Sequence, residues 1–217
     1  MPTVYGVNAS PFVRKVRVVL AEKKVPYELV PVFPAAAEPD FRKMSPLGKI
    51  PAYKDDGERT LCDSSVICAY VERTHPAPPL YPQDPYAYAR ALWFEEYGDS
   101  ALVSVLGPKI FFEKIVAPGF FKRPTNQEMV DKAVAEEVPP LCDYLEGQLG
   151  SGEFLVGDKL SIADVGIASP FVNFQHAGYD VDARKWPKLA AYLKRIIGRP
   201  SFQACLPEER QLLGIAA

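Results

Sequence analysis

Histidine is nearly absent: His75 and His176 are the only two in 217 residues. One falls in a proline-rich stretch and the other in a late helical region, so a Ser-His-acid triad is not expected. Cysteine is sparse as well. Cys62, Cys68, Cys142 and Cys205 are too far apart and too irregular for a zinc site or a disulfide framework. They read as buried thiols of a reducing compartment, and no metal is expected. Charge of one sign is also missing. A net charge of −2 makes no electrostatic case for nucleic acid or an anionic membrane surface. No apolar run approaches the length of a membrane span, and no basic-then-apolar signal region opens the chain. The expectation is a soluble cytoplasmic protein without repeats or low-complexity tracts.

What is present is an ordinary globular mixture, 48% hydrophobic and 24% charged, with ample material for a core. The chain changes character near residue 80. Residues 75–85 (His-Pro-Ala-Pro-Pro-Leu-Tyr-Pro-Gln-Asp-Pro) are too rich in proline for a helix interior or a central strand, and read as a stiff linker. Before it, strand and helix signals alternate. Thr3–Val7 is apolar and β-prone. Phe12–Lys24 places Val13, Val16 and Leu20 on one helical face, with Arg14, Lys15 and Lys23 elsewhere. Tyr27–Val32 is a second strand, and a short helical connector lies around Phe41–Ser45. Pro51–Lys54 and Arg59–Cys62 flank a hairpin turn, and Ser64–Thr74 is a second amphipathic helix. The resulting β-α-β then β-β-α order is thioredoxin-like.

After the linker the reading is helical. Tyr86–Lys114 forms one long helix with a kink expected near Gly107-Pro108. Gln127–Gln148 forms another, interrupted at Pro139-Pro140. Leu160-Ser161-Ile162-Ala163-Asp164-Val165 combines a capping box (Ser161 with Asp164) with a hydrophobic staple (Leu160 with Val165). A last helix runs from about Ala183 to Ile197 and stops at Gly198-Arg199-Pro200. The expected division is a thioredoxin-like domain over 1–80, a linker over 81–85 and an all-helical domain over 86–217.

Two segments carry the chemistry. Ser10 stands where an apolar strand breaks into a helix beginning at Pro11, a preferred position for an N-cap followed by a proline that needs no N–H. It reads either as a plain cap or as a donor to an anion held at the helix start, where backbone amides and the helix dipole favour negative charge. A hydroxyl there can stabilise a thiolate, since free thiols titrate near ~8.5 and helix N-termini depress that value. Asn8, two residues earlier, is the runner-up donor. The second segment is Lys49-Ile50-Pro51-Ala52 with Asp63-Ser64. Pro51 is either a trans edge-strand proline or a cis proline that turns the Ile50 backbone toward an extended ligand. Asp63-Ser64 is either a helix cap or a pocket for an ammonium and a carboxylate. Together the two segments outline a site for a small anionic thiol.

The arrangement resembles the cytosolic glutathione transferase family over essentially the whole chain. Tyr5-Gly6-Val7-Asn8-Ala9-Ser10 through Val25-Pro26-Tyr27-Glu28-Leu29-Val30-Pro31-Val32 is similar to the serine-type classes, phi and tau in particular, and a bacterial-type member is suggested. Pro39-Asp40-Phe41, Ser45-Pro46-Leu47-Gly48-Lys49-Ile50-Pro51-Ala52, Cys62-Asp63-Ser64-Ser65 and the Leu160–Val165 box continue the match in order. The resemblance implies that Ser10 stabilises the glutathione thiolate and that Ile50, before a cis Pro51, pairs with the cysteinyl unit. It further implies that Asp63 and Ser64 receive the γ-glutamyl end and that Lys49 reaches toward the glycine carboxylate. Phi-type sequences carry a His-Lys pair where this chain has Ala36-Ala37, which leaves Arg42 or Lys43 to compensate.

Omega-type members carry Cys-Pro-Phe where this chain has Ser10-Pro11-Phe12. Without a cysteine at that position, conjugation is favoured over disulfide exchange. Glutathione is then a co-substrate and no cofactor is implied. The second substrate, a small hydrophobic electrophile, is expected between the domains against Phe12, Ser104, Val105, Pro108 and Phe171. The implied role is detoxification as a homodimer, with Ser64–Thr74 and the start of Tyr86–Lys114 facing the partner. A glutathione-dependent peroxidase or isomerase, and a non-enzymatic binding module, are the alternatives.

Overall fold

The computed structural model describes residues 1–34, 39–150 and 152–215; the Ala36-Ala37 pair lies outside them. The elements β1 (Thr3–Tyr5), α1 (Pro11–Glu22), β2 (Glu28–Val30), α2 (Pro39–Met44), β3 (Ala52–Lys54), β4 (Thr60–Cys62) and α3 (Ser64–Thr74) follow in the expected order. The sheet order is β2-β1-β3-β4, with β1 parallel to β2 and the other pairs antiparallel. β2 is shorter than the Tyr27–Val32 expectation. Its last ladder contact is Gly6 N–H to the Val30 carbonyl (3.0 Å), and Pro31 has no N–H with which to continue.

Two registers decide where a site can form. Tyr5 pairs with Ala52, and Ala52 pairs with Cys62. The C-terminal ends of β1 and β4 and the N-terminal end of β3 therefore meet at one end of the sheet. Ser10, Ile50-Pro51 and Asp63-Ser64 all follow or precede those ends.

The helical half comprises α4 over residues 85–120, α5 over 127–148, α6 (Ile162–His176), α7 (Pro187–Ile197), α8 (Pro200–Gln203) and α9 (Leu206–Leu213). Asp84 caps α4 through the amides of Tyr86 (3.1 Å) and Ala87 (2.8 Å), with Pro85 in the first turn. The helix runs past Lys114 to Phe120. Wide π turns over Leu106–Val116 take up the Gly107-Pro108 region, where a proline cannot supply an N–H. A similar stretch, Ala133–Glu137, precedes Pro139-Pro140 in α5. The helix expected from Ala183 starts instead at Pro187. Asp182 holds residues 182–186 in a turn, its carboxylate accepting from Arg184 N–H (2.9 Å) and its carbonyl from Trp186 N–H (2.9 Å).

The box at the start of α6 forms as expected. The Asp164 carboxylate accepts from Ser161 N–H (2.8 Å), and its other oxygen takes Leu155 N–H (3.0 Å) and Tyr192 O–H (2.9 Å). Burial raises this carboxyl above its ordinary range despite those donors. α6 is buried on every side and crosses α4 closely. A Cβ at Gly98 would lie 2.4 Å from the Gly166 carbonyl oxygen, so only glycine fits there.

α1 departs most from the sequence expectation. Arg14, Lys15 and Lys23, placed off its apolar face by periodicity, are all buried. The helix lies against α3 on one side and α6 on the other, which covers most of its surface. Each charge has found partners. Lys23 Nζ meets Glu72 (2.7 Å) and the carbonyls of His75 (2.7 Å) and Pro78 (2.9 Å), which ties the linker to α1. Lys15 Nζ meets Glu95 (2.9 Å), Asp99 and the Ser65 hydroxyl (3.0 Å). Burial opposes the Lys15 charge, but Glu95 and Asp99 hold its ammonium above the ordinary lysine range.

Candidate active site

Ser10 is the N-cap of α1, half-buried, with backbone in the β region. Its Oγ accepts from Val13 N–H at 3.4 Å, a long cap bond, and donates to no acceptor among the described residues. The hydroxyl proton is thus free at a helix start that favours anions. The loop before it packs against the second segment. A Cβ at Gly6 would stand 2.5 Å from Val13 Cγ2 and 3.3 Å from Ile50 Cβ, so glycine lets the β1–α1 turn close onto Ile50.

The Ile50–Pro51 bond is cis, the second of the two readings. No other backbone group among the described residues pairs with the Ile50 amide or carbonyl. Beside it, Gly48 adopts φ +65°, and the Arg42 guanidinium lies over it, about 3.0 Å from where a Cβ would be. Lys49 is exposed, and neither it nor Arg42 meets a carboxylate among the described residues. Lys43 instead pairs with Asp40 (2.7 Å). Of the two expected substitutes for the missing basic pair, Arg42 is the one beside Lys49.

Asp63 caps α3 at φ +77°, accepting from Ser65 N–H (2.9 Å) and Val66 N–H (3.3 Å). Ser64 is buried in the first turn. Ser65 was missed by sequence reasoning. Its hydroxyl joins Lys15 and Asp99, and so links the start of α3 to α4. Asn8 is already engaged, donating to Glu208 at 3.3 Å, which weakens it as an alternative donor to Ser10.

The expected acceptor wall is only partly brought together. Phe12 is half-buried in the first turn of α1, and Ser104 and Pro108 are exposed on α4. Val105 is 7% exposed and belongs to the core. Phe171 does not fit the expectation. It is 1% exposed on the buried α6, and it borders a cavity of about 680 Å³ against Leu193 and Leu206 of α7 and α9. Ser10, Lys49, Ile50, Asp63 and Ser64 take no part in that cavity. All four cysteines are free. Among the described residues no group of His, Cys, Asp and Glu could hold a metal, and no helix is long and apolar enough to cross a membrane.

The protein thus combines a thioredoxin-like sheet with a helical domain, and sets a serine cap, a cis proline and an acidic cap at one end of the sheet. Residues 4–79 match the glutathione S-transferase N-terminal domain, and residues 109–200 match the corresponding C-terminal domain. A probable glutathione S-transferase from Oryza sativa subsp. japonica is 30% identical over 206 residues, covering 92% of this chain and 93% of its own. A maleylacetoacetate isomerase from Rattus norvegicus is 27% identical, covering 95% and 92%. The solved structure of a glutathione S-transferase-I bound with lactoylglutathione is 26% identical, with a TM-score of 0.84 over 95% of this chain and 99% of that one. The chain belongs to the glutathione S-transferase family.

Proposed function

We propose that this protein is a serine-type glutathione transferase that activates glutathione as its thiolate and adds the sulfur to hydrophobic electrophiles. The observation that carries the reading is the free hydroxyl proton of Ser10 at the start of α1, on the same sheet end as Ile50-Pro51 and Asp63-Ser64. Glutathione lies extended along that end. The Ile50 amide and carbonyl pair with its cysteinyl unit, Asp63 and Ser64 receive the γ-glutamyl group, and Lys49 with Arg42 faces the glycine carboxylate. The thiol proton leaves to solvent and Ser10 O–H donates to the sulfur anion. The sulfur lone pair then forms a bond to an electrophilic carbon while the leaving group departs with its bonding pair. Phe12, Ser104 and Pro108 form the acceptor side. The division into residues 1–80, a linker over 81–85 and a helical domain over 86–217 belongs to this reading.

The setting proposed is cytoplasmic, consistent with four free cysteines, with no cofactor beyond the co-substrate. A homodimer through α3 and α4 fits the large apolar side chains these helices leave exposed, Val66, Tyr86, Tyr88, Leu92 and Trp93. The rat isomerase relative favours one second reading, glutathione-dependent isomerisation on the same site.

Purified protein should be retained on immobilised glutathione and should turn over an aryl halide faster than cumene hydroperoxide. Retention without turnover of either would leave a binding module and overturn the catalytic reading.

A further inference from the structure

The loop that carries Ser10 is held from the far end of the chain. Arg14, fully buried, donates from Nε and Nη2 to the two carboxylate oxygens of Glu209 on α9, at 2.8 and 2.5 Å. Its Nη1 donates to the Asn173 side-chain oxygen on α6 (2.8 Å) and to the Ser169 carbonyl (2.6 Å). His176 Nε2 lies 2.8 Å from the same Glu209. Asn173 then donates from Nδ2 to the carbonyl of Ala9, at 2.9 Å. Burial opposes the charge on Glu209, but Arg14 and then His176 hold its carboxyl below the usual range.

The donor–acceptor inventory leaves Asn173 one orientation. Arg14 can only donate and the Ala9 carbonyl can only accept, so the amide oxygen must face one and the amide nitrogen the other. The bidentate Arg14–Glu209 pair fixes the guanidinium, the guanidinium fixes the amide, and the amide fixes the carbonyl. That carbonyl belongs to the planar Ala9–Ser10 peptide, whose N–H donates to the Val7 carbonyl at 3.1 Å. The plane is therefore pinned from both sides. By contrast, among the described residues the Ser10 side chain itself has only its 3.4 Å cap bond.

A buried ion pair is often no more stabilising than apolar side chains of the same volume, so stability alone does not account for these charges. We propose that Asn173, oriented by Arg14 and Glu209, is a positioning residue for Ser10: it sets the tilt of the Ala9–Ser10 peptide and thereby the direction in which the hydroxyl points. This rests on the reading of Ser10 as donor to the glutathione sulfur. Asn173 does not touch that sulfur.

The test follows the ultraviolet absorbance of the thiolate in the glutathione complex against pH, together with steady-state rates. Asn173→Ala should raise the titration midpoint and lower kcat ~10-fold at neutral pH while KM for glutathione stays within ~2-fold, because an oriented donor has been misdirected rather than removed. Asn173→Asp, close in shape but without the donor, should do the same, and it serves if the alanine variant does not fold. In a Ser10→Ala background, Asn173→Ala should move the midpoint no further, as expected for residues acting through one another. If Ser10→Ala moves the midpoint and both folded Asn173 variants titrate like wild type, the positioning role is wrong and Ser10 stands. If Ser10→Ala itself leaves the midpoint in place, the reading of Ser10 fails and this inference fails with it.

Discussion

The starts of α1 and α3 open at the same end of the sheet but are held by different means. α3 is capped locally, with Asp63 accepting from amides two and three residues on. The α1 start has a single long cap bond, and the loop before it is tied to Asn173, Glu208 and, through Arg14, Glu209. The Asp63 cap is set by the residues beside it, with only the neighbouring Ser65 reaching Asp99 of α4, whereas the loop before α1 is held by residues in the opposite domain. The difference suits the chemistry proposed for each. An acidic cap that holds itself presents a fixed pocket to a γ-glutamyl group. A serine whose hydroxyl proton has no acceptor among the described residues must be aimed from outside.

Arg14→Met should break the comparison most sharply. It leaves the Glu209 charge buried beside His176, and removing one partner of a buried pair costs about 3–5 kcal/mol. The measure is the shift in denaturant midpoint, and Arg14→Met combined with Glu209→Leu should recover most of it. A loss from Arg14→Met no larger than that of a surface substitution would mean that the long-range clasp does not hold α1. Asp63→Ala sharpens the same contrast with a smaller effect. A lost N-cap costs about 1 kcal/mol, and glutathione binding should weaken. The titration of bound glutathione should stay where it is in wild type, since the place proposed for Asp63 is at the γ-glutamyl group and away from the cysteinyl sulfur. A shifted titration would show that the two helix starts are not independent.

The same distinction explains what was legible in the sequence. The β-α-β, β-β-α order, the Ser161–Asp164 box and the Asp63 cap are all local patterns of periodicity, turn chemistry or capping, and each appears in the structure. The burial of Arg14 and Lys15 was not legible, because helical periodicity marks apolar faces and does not say where the partners of a charged residue lie. Those partners, Glu209 and Asn173 for one and Glu95 and Asp99 for the other, lie 80 or more residues away. Phe171 was misplaced for a related reason. α6 is buried along nearly its whole length, so no apolar stripe in the sequence says which side faces a cleft and which the α7–α9 cavity. Ser65 carried no signal beyond lying next to Ser64.

The central claim is that the Ser10 hydroxyl holds the glutathione sulfur as an anion, and thiolate absorbance of the complex titrated against pH tests it most directly. Free thiols titrate near ~8.5. Wild type should titrate below that value and Ser10→Ala close to it. Losing one oriented donor should lower kcat on the order of 10²–10³ with KM for glutathione little changed. Coincident titration curves for wild type and Ser10→Ala would contradict the account, and would reduce Ser10 to the cap of a helix.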